Sequence, residues 1–337
     1  MNVVIRVPNW LGDIIMSIPA IKSLKKSNPE IKISVICKKG LDEIFTLLEE
    51  VEEIIPYEKN KLLKNAKLLN KKGFDTYISF PNSLESAILG LLSGIPERIG
   101  YSKDLRCQLL TKCFKREKDI LNQHHIFYYL NLLKKAELIK DYILDLSFTK
   151  KEILTNLKNL TQRKFSIEKK RFILGIHPGA AYGKTKMWPP EKYRELIKKI
   201  LENFDATIYL VGSKSEENTS LEIAKNLKNV HILAGKTTIL ELVGVILNCN
   251  IFISNDSGPM HLAAALSIPQ IAIFGSTDPV ITSPYNKSTN IILKGITHCS
   301  PCFLKECPTK DFKCFEKIKV NDVFHSFASL FEKYRSL

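Results

Sequence analysis

Several turns in this 337-residue chain collect side chains able to handle anions and protons. The most crowded lies in ISNDSGPMHLAAALSIPQIAIFGSTDP, residues 253–279. There a strand-like run gives way to Asp256, Ser257, Gly258 and His261 before an alanine-rich helix. A helix entry that only needed a cap would be satisfied by one Ser or Asp. Several polar groups and a glycine at one turn describe a helix N-terminus whose N–H groups stay open to an anion. His261 falls one turn into that helix; the plainer reading is a buried structural histidine, the other a phosphate or sugar contact. GSTDP at 275–279 closes the next strand with a second polar turn.

Three further turns follow strand-like runs. VPNWLGDIIMSIPA places Asp13 where a helix starts, with Asn9 and Trp10 beside it. Asp13 is either a helix-start carboxylate or a general base; the second role needs positioning and a raised pKa, since an ordinary Asp titrates near ~3.9. Asn9 and Trp10 either bind a polar ligand or pack the turn. HPGAAYGKTKMWPPEKY is a small-residue loop containing Gly179, then Lys184, Lys186 and Trp188. Small residues let phosphates approach the backbone, and a lysine supplies a point charge. The loop is not a Walker A sequence, and two lysines in a chain with 50 cationic residues are as readily solvated as bound. In LVGSKSEEN, Ser213 ends a strand and Glu216 or Glu217 opens a helix. Either glutamate answers the helix dipole, or one of them holds a ribose hydroxyl pair.

HCSPCFLKECPTKDFKC, residues 298–314, carries Cys299, Cys302, Cys307 and Cys314. Their spacing suits a structural zinc site, with His298 as a spare ligand. Disulfides and free thiols are the alternatives, and a cytoplasmic chain disfavours the former.

These turns need strands and helices to position them. Short apolar runs at 3–7, 33–37, 53–55 and 76–80 alternate with helical patterns at 14–26 and 62–71; an aromatic-rich helix follows over 123–138. The alternation restarts with strands at 172–177, 207–211, 230–233, 251–254 and 270–274. Such alternation predicts an α/β chain of two doubly wound parallel sheets, residues 1–165 and 166–337. The length suits two cores. Two such halves imply a central cleft, with the turns after the strands facing it.

Composition narrows the partners. Hydrophobic residues make up 45% and charged ones 25%, ordinary for a soluble globular chain. No signal sequence and no apolar run of about 18 residues is present, so a cytoplasmic protein is expected. The net charge of +15 comes mostly from scattered lysines. It favours anionic partners, a phosphorylated substrate or an acidic membrane surface, while no motif points to nucleic acid.

PNWLGDIIMSIPA, PNSLESAILGLLSGIPERIGY, HPGAAYGKTKMWPPEKY and ISNDSGPMHLAAALSIPQIAIFGSTDP, in that order, make the chain resemble the heptosyltransferases of lipopolysaccharide core synthesis, glycosyltransferase family 9. The resemblance implies a GT-B architecture: two Rossmann-like domains facing a central cleft, the N-terminal one for the acceptor and the C-terminal one for the ADP-sugar, with the last helix packing back on the first domain. It implies an inverting glycosyltransferase that moves heptose from ADP-heptose to the lipid A-linked inner core. Asp13 matches the family's catalytic aspartate, Lys186 its diphosphate-binding lysine, and Asp256, Ser257, Gly258 and His261 its donor block. The arginine that often follows the lysine is Met187 here. Gly179, Ser213 and Glu216 or Glu217 complete the expected donor site. Arg98 and Arg106 are candidates for the acidic acceptor, because an Arg fork suits carboxylates and phosphates. No catalytic cofactor is required on this reading, a monomer is expected, and the basic surface would dock peripherally on the inner face of the cytoplasmic membrane. Another sugar-nucleotide transferase of this fold, an epimerase and a non-catalytic nucleotide-sugar-binding protein remain the alternatives.

Overall fold

A computed structural model describes residues 1–117, 122–168, 172–286 and 289–335. The chain divides into two compact units, Met1–Lys151 and Glu152–Leu337.

The first unit is built on a six-stranded sheet in the order β3-β2-β1-β4-β5-β6. Its strands are β1 (Asn2–Arg6), β2 (Lys32–Lys38), β3 (Glu53–Tyr57), β4 (Thr76–Ser79), β5 (Glu97–Tyr101) and β6 (Lys112–Phe114), and every pairing is parallel. Parallel neighbours need crossovers, and helices supply them: α1 (Leu11–Ser27), α2 (Leu62–Lys71) and α3 (Leu84–Leu92), followed by α4 (Ile126–Lys135). With helices on its faces, β1 is apolar from Val3 to Ile5 rather than alternating, as a strand buried on both sides must be. The aromatic-rich helix is shorter than the expected 123–138, and β5 and β6 were not expected as strands.

The second unit repeats the plan. It begins with α5 (Lys151–Lys164) and then carries β7 (Phe172–His177), β8 (Ala206–Leu210), β9 (Val230–Ile232), β10 (Ile251–Asn255), β11 (Gln270–Phe274) and β12 (Asn290–Lys294). These form a parallel sheet in the order β12-β11-β10-β7-β8-β9. The helices are α6 (Pro190–Asn203), α7 (Glu217–Ala224), α8 (Ile239–Leu247), α9 (Gly258–Ala265), the short α10 (Pro279–Thr282) and α11 (Lys313–Glu316), and α12 (Val320–Tyr334). Counted from its own first strand, this sheet has the same order as the first, 3-2-1-4-5-6, that of doubly wound dinucleotide-binding sheets. Its core joins Trp188, Tyr193, Leu196 and Ile197 to Ile253, Ile273, Phe315 and Phe327.

The boundary falls earlier than the expected 165/166. α5 belongs with the second unit because α8 holds it: Asn248 Nδ2 donates to the Lys158 carbonyl at 2.9 Å. A Cβ on Gly244 would lie 2.5 Å from the Leu157 carbonyl oxygen, so only glycine allows that approach. α12, expected to pack back on the first domain, packs on α6 and the core of its own unit through Phe327 and Leu330.

Candidate functional site

In the second unit, β7 and β10 are neighbours, and the connections that leave their C-terminal ends run to opposite flanks of the sheet. Such a switch point opens a crevice in which ligands of doubly wound sheets bind. Asn255, at the end of β10, ties it together. Its amide donates to the carbonyls of Pro178 at 2.8 Å and Gly179 at 3.1 Å. Its carbonyl accepts from the Trp188 backbone N–H and the Tyr193 hydroxyl. The chain before and after the lysine loop is thus fixed by one fully buried amide.

Lys186 stands inside that frame, in a short 3-10 turn, Lys184–Lys186. Its Nζ lies 2.6 Å from Oδ2 of Asp256, which also accepts from Thr277 Oγ1 at 2.7 Å and Thr282 Oγ1 at 3.3 Å. The carboxylate is buried and the ammonium is nearly so, so the pair is ordered. An ammonium has three N–H donors; Asp256 aims it and leaves others for a ligand. The turn itself leans on a later loop: Thr185 Oγ1 donates to the Leu304 carbonyl and the Tyr182 hydroxyl to that of Phe303.

His177, the last residue of β7, bridges two further turns. Its Nδ1 is 2.9 Å from Ser257 Oγ, and its Nε2 is 3.5 Å from Oε1 of Glu216. Glu216 is therefore the glutamate that faces the strand ends, whereas Glu217 is paired with Lys214 on the surface. The Ser213 backbone N–H and hydroxyl both donate to Glu216 Oε2 at 2.7 Å. Burial alone would raise this carboxyl; the His177 contact and then the Ser213 donors outweigh it and hold the group down at about 2. A carboxylate fixed and charged in this way is the acceptor that a sugar hydroxyl pair needs. Ser257 caps α9 without a side-chain bond to it, so the first N–H groups of the helix remain for another acceptor. His261 lies buried in the same helix.

The first unit carries the other expected residues. Asp13 sits in the first turn of α1, with Oδ1 4.0 Å from Nε2 of His125. The His125 ring stacks on Tyr128 and meets Tyr129 edge-on. Burial lowers its pKa to about 4, with Arg116 acting in the same direction, so it stands as neutral imidazole beside the carboxylate. The cap of α1 is Trp10, which makes no side-chain cap bond and is exposed. Asn9 accepts from Arg6 Nη2 at 2.7 Å.

The two arginines expected to meet an acceptor serve as framework instead. Arg106 is almost wholly buried; its guanidinium donates to Ser79 Oγ at 2.9 Å and to the Pro81 carbonyl at 3.0 Å. Arg98 donates to the carbonyls of Leu109 and Ile95. Carbonyls take the Arg98 fork, and a carbonyl with the Ser79 and Ser86 hydroxyls takes that of Arg106. Next to Arg106, Cys107 is disulfide-bonded to Cys113.

The four late cysteines are free thiols lining one pocket with Ser276 and Thr185. Among the described residues no three His, Cys, Asp or Glu side chains already converge as a ligand set. Sequence reasoning passed over Asn255, Thr277 and Thr282 and gave His177 no task. The signal was their placement, at or just after the ends of β7, β10 and β11.

The chain is similar to known proteins in sequence and in fold. The sequence model of glycosyltransferase family 9 (heptosyltransferase) matches residues 62–313. Lipooligosaccharide heptosyltransferase 2 of Haemophilus influenzae is 30% identical over 311 residues, 87% of this chain and 88% of the relative. Lipopolysaccharide heptosyltransferase 2 of Escherichia coli is 28% identical over 309 residues, with the same coverage. The solved structure of E. coli ADP-heptose lps heptosyltransferase II superposes with a TM-score of 0.85 at 27% identity, covering 99% of both chains. A likeness of that extent, in sequence and in both sheets, makes this chain a glycosyltransferase and a member of glycosyltransferase family 9, the heptosyltransferases.

Proposed function

We propose that the chain transfers heptose from ADP-heptose, with inversion, to a heptose already on the lipid A-linked inner core: the heptosyltransferase II step. The observation that carries this reading is the near full-length likeness to relatives named heptosyltransferase 2. The site supports it. Lys186, aimed by Asp256, and the open N–H groups at Ser257 and Gly258 would meet the diphosphate, while Glu216 would hold the ribose hydroxyls. The acceptor oxygen attacks the anomeric carbon from the face opposite the leaving group, and its proton passes to Asp13. The bond to the diphosphate breaks, and the charge on departing ADP falls on donors already in place, where preorganised electrostatics count most.

The acceptor is lipid-linked and no described helix is long and apolar enough to cross a membrane. We therefore assign the +15 chain a peripheral place on the anionic inner face of the cytoplasmic membrane.

An ADP-release assay tests the reading. Purified protein receives ADP-heptose with lipid A bearing Kdo alone, or Kdo and one heptose. Release only with the heptose-bearing acceptor is expected. Release with Kdo alone would move the protein to the first heptose transfer, and release with neither, despite donor binding, would overturn heptosyl transfer.

A further inference from the structure

From residue 295 to residue 312 the chain runs without helix or strand. Loops of that length inside compact units are uncommon and are held by something specific. Apolar burial does not hold this one, since Ile296, Phe303 and Leu304 are exposed. Three of its residues, Phe303, Lys310 and Phe312, adopt left-handed backbone with φ of 55°, 59° and 47°. Bulky side chains rarely sit there unless their surroundings over-determine them. Phe303 directly follows Cys302, and Lys310 and Phe312 lie between Cys307 and Cys314.

The backbone has a purpose in that shape. It sets the Cys307 sulfur 3.5 Å from the Thr309 hydroxyl. Cys299, Cys302 and Cys314 line the same pocket as Cys307. None of the four is in a disulfide. Ser276 Oγ, buried at the pocket wall, has no hydrogen-bond partner.

We propose that Cys299, Cys302, Cys307 and Cys314 form a four-thiolate site for a borderline-soft divalent metal ion of the Zn²⁺ or Fe²⁺ class. Four sulfurs and no carboxylate select against Mg²⁺ and Ca²⁺, and four protein ligands leave no open position, which makes the ion structural rather than catalytic. The thiols stand around the wall of the pocket. Each thiol gives up its proton to solvent as its sulfur binds the ion. The ion's task follows from what the loop touches. The Phe303 and Leu304 carbonyls hold Tyr182 and Thr185, and the Lys305 carbonyl lies 2.8 Å from where a Gly183 Cβ would stand. Metal in the loop thus fixes the turn that carries Lys186.

The full-length protein, purified under reducing conditions, is tested by elemental analysis and by titration of the metal-free form with Co²⁺. About one zinc or iron per chain is expected, with thiolate-to-cobalt charge transfer and intense tetrahedral bands saturating at one equivalent. Cys302→Ser and Cys314→Ser should each reduce metal content at least tenfold. Hydrogen exchange of wild-type protein adds a readout independent of those variants: residues 296–312 and 182–187 should slow at least tenfold on loading. A metal-free protein that takes up neither Co²⁺ nor Zn²⁺ would overturn the proposal. So would disulfides among the four cysteines by intact mass, or equal exchange with and without metal.

Discussion

A Cβ placed on Gly179 would stand 1.8 Å from Oε1 of Glu216. The glycine after β7 and the glutamate after β8 therefore occupy one space, and the carboxylate reaches His177 only because position 179 has no side chain. Gly179→Ala should push Glu216 off His177 and weaken ADP binding about tenfold, equivalent to about 1.4 kcal/mol. Combined with Glu216→Ala, which removes the clash and the contact together, the two changes should be strongly non-additive. Calorimetric titration of ADP into the four proteins of the cycle measures this.

Lys186→Ala removes the cation that Asp256 aims. ADP release should slow by about 10²–10³, the size of a lost preorganised donor at a developing oxyanion. Asp256→Asn keeps the shape and weakens the aim, so a smaller loss is expected. Single-turnover assays separate these effects from product release.

For Asp13→Asn, the prediction is a kcat loss of about 10²–10⁴, the usual worth of a general base, with ADP affinity unchanged. Steady-state ADP release and calorimetry together check it. A parallel fall in ADP affinity would show that Asp13 supports the donor side instead.

Arg106→Leu tests the framework role. It removes two hydrogen bonds from a charged donor, to Ser79 Oγ and the Pro81 carbonyl, each worth about 1.5–3 kcal/mol. The expected outcome is a lower urea midpoint with acceptor KM unchanged under conditions where the variant is folded. A large rise in KM at intact stability would restore the acceptor role.

Two pH windows follow from groups whose native pKa values are depressed. His125 titrates near 4 in the folded chain and near its ordinary 6.5 unfolded. Between those values the unfolded chain binds the extra proton, so stability is complete above 6.5 and falls as pH drops toward 4. For Glu216 the window runs from its ordinary 4.5 down to about 2, again with stability lost on acidification. His125→Phe should flatten the first window and Glu216→Gln the second, as read by denaturant midpoints across pH.

The strands whose apolar runs are buried on both faces, such as β1 and β10, announce themselves by composition, and so do the helices between them. The edge strands do not. β6 is three residues, Lys112–Phe114, and β12 sits half-buried, so neither presents a core pattern. Within the site, Asp256 stood out because it directly follows a strand at a helix start, whereas Lys186 was told from Lys184 only by the family resemblance. Glu216 could not be told from Glu217 without the turn that rotates one toward His177. Arg106 misled for a related reason: its partners Ser79 and Ser86 lie far back along the chain, and only the fold brings them under its guanidinium.

The two sheets share one strand order, and each closes its core within its own stretch of chain. That makes the molecule a tandem of two like frames, with the proposed base after the first strand of one and the lysine after the first strand of the other. On the proposed function, residues that answer to different ligands are written in separate halves of the gene, so that one half could drift toward a new acceptor sugar while the other kept its grip on the same nucleotide.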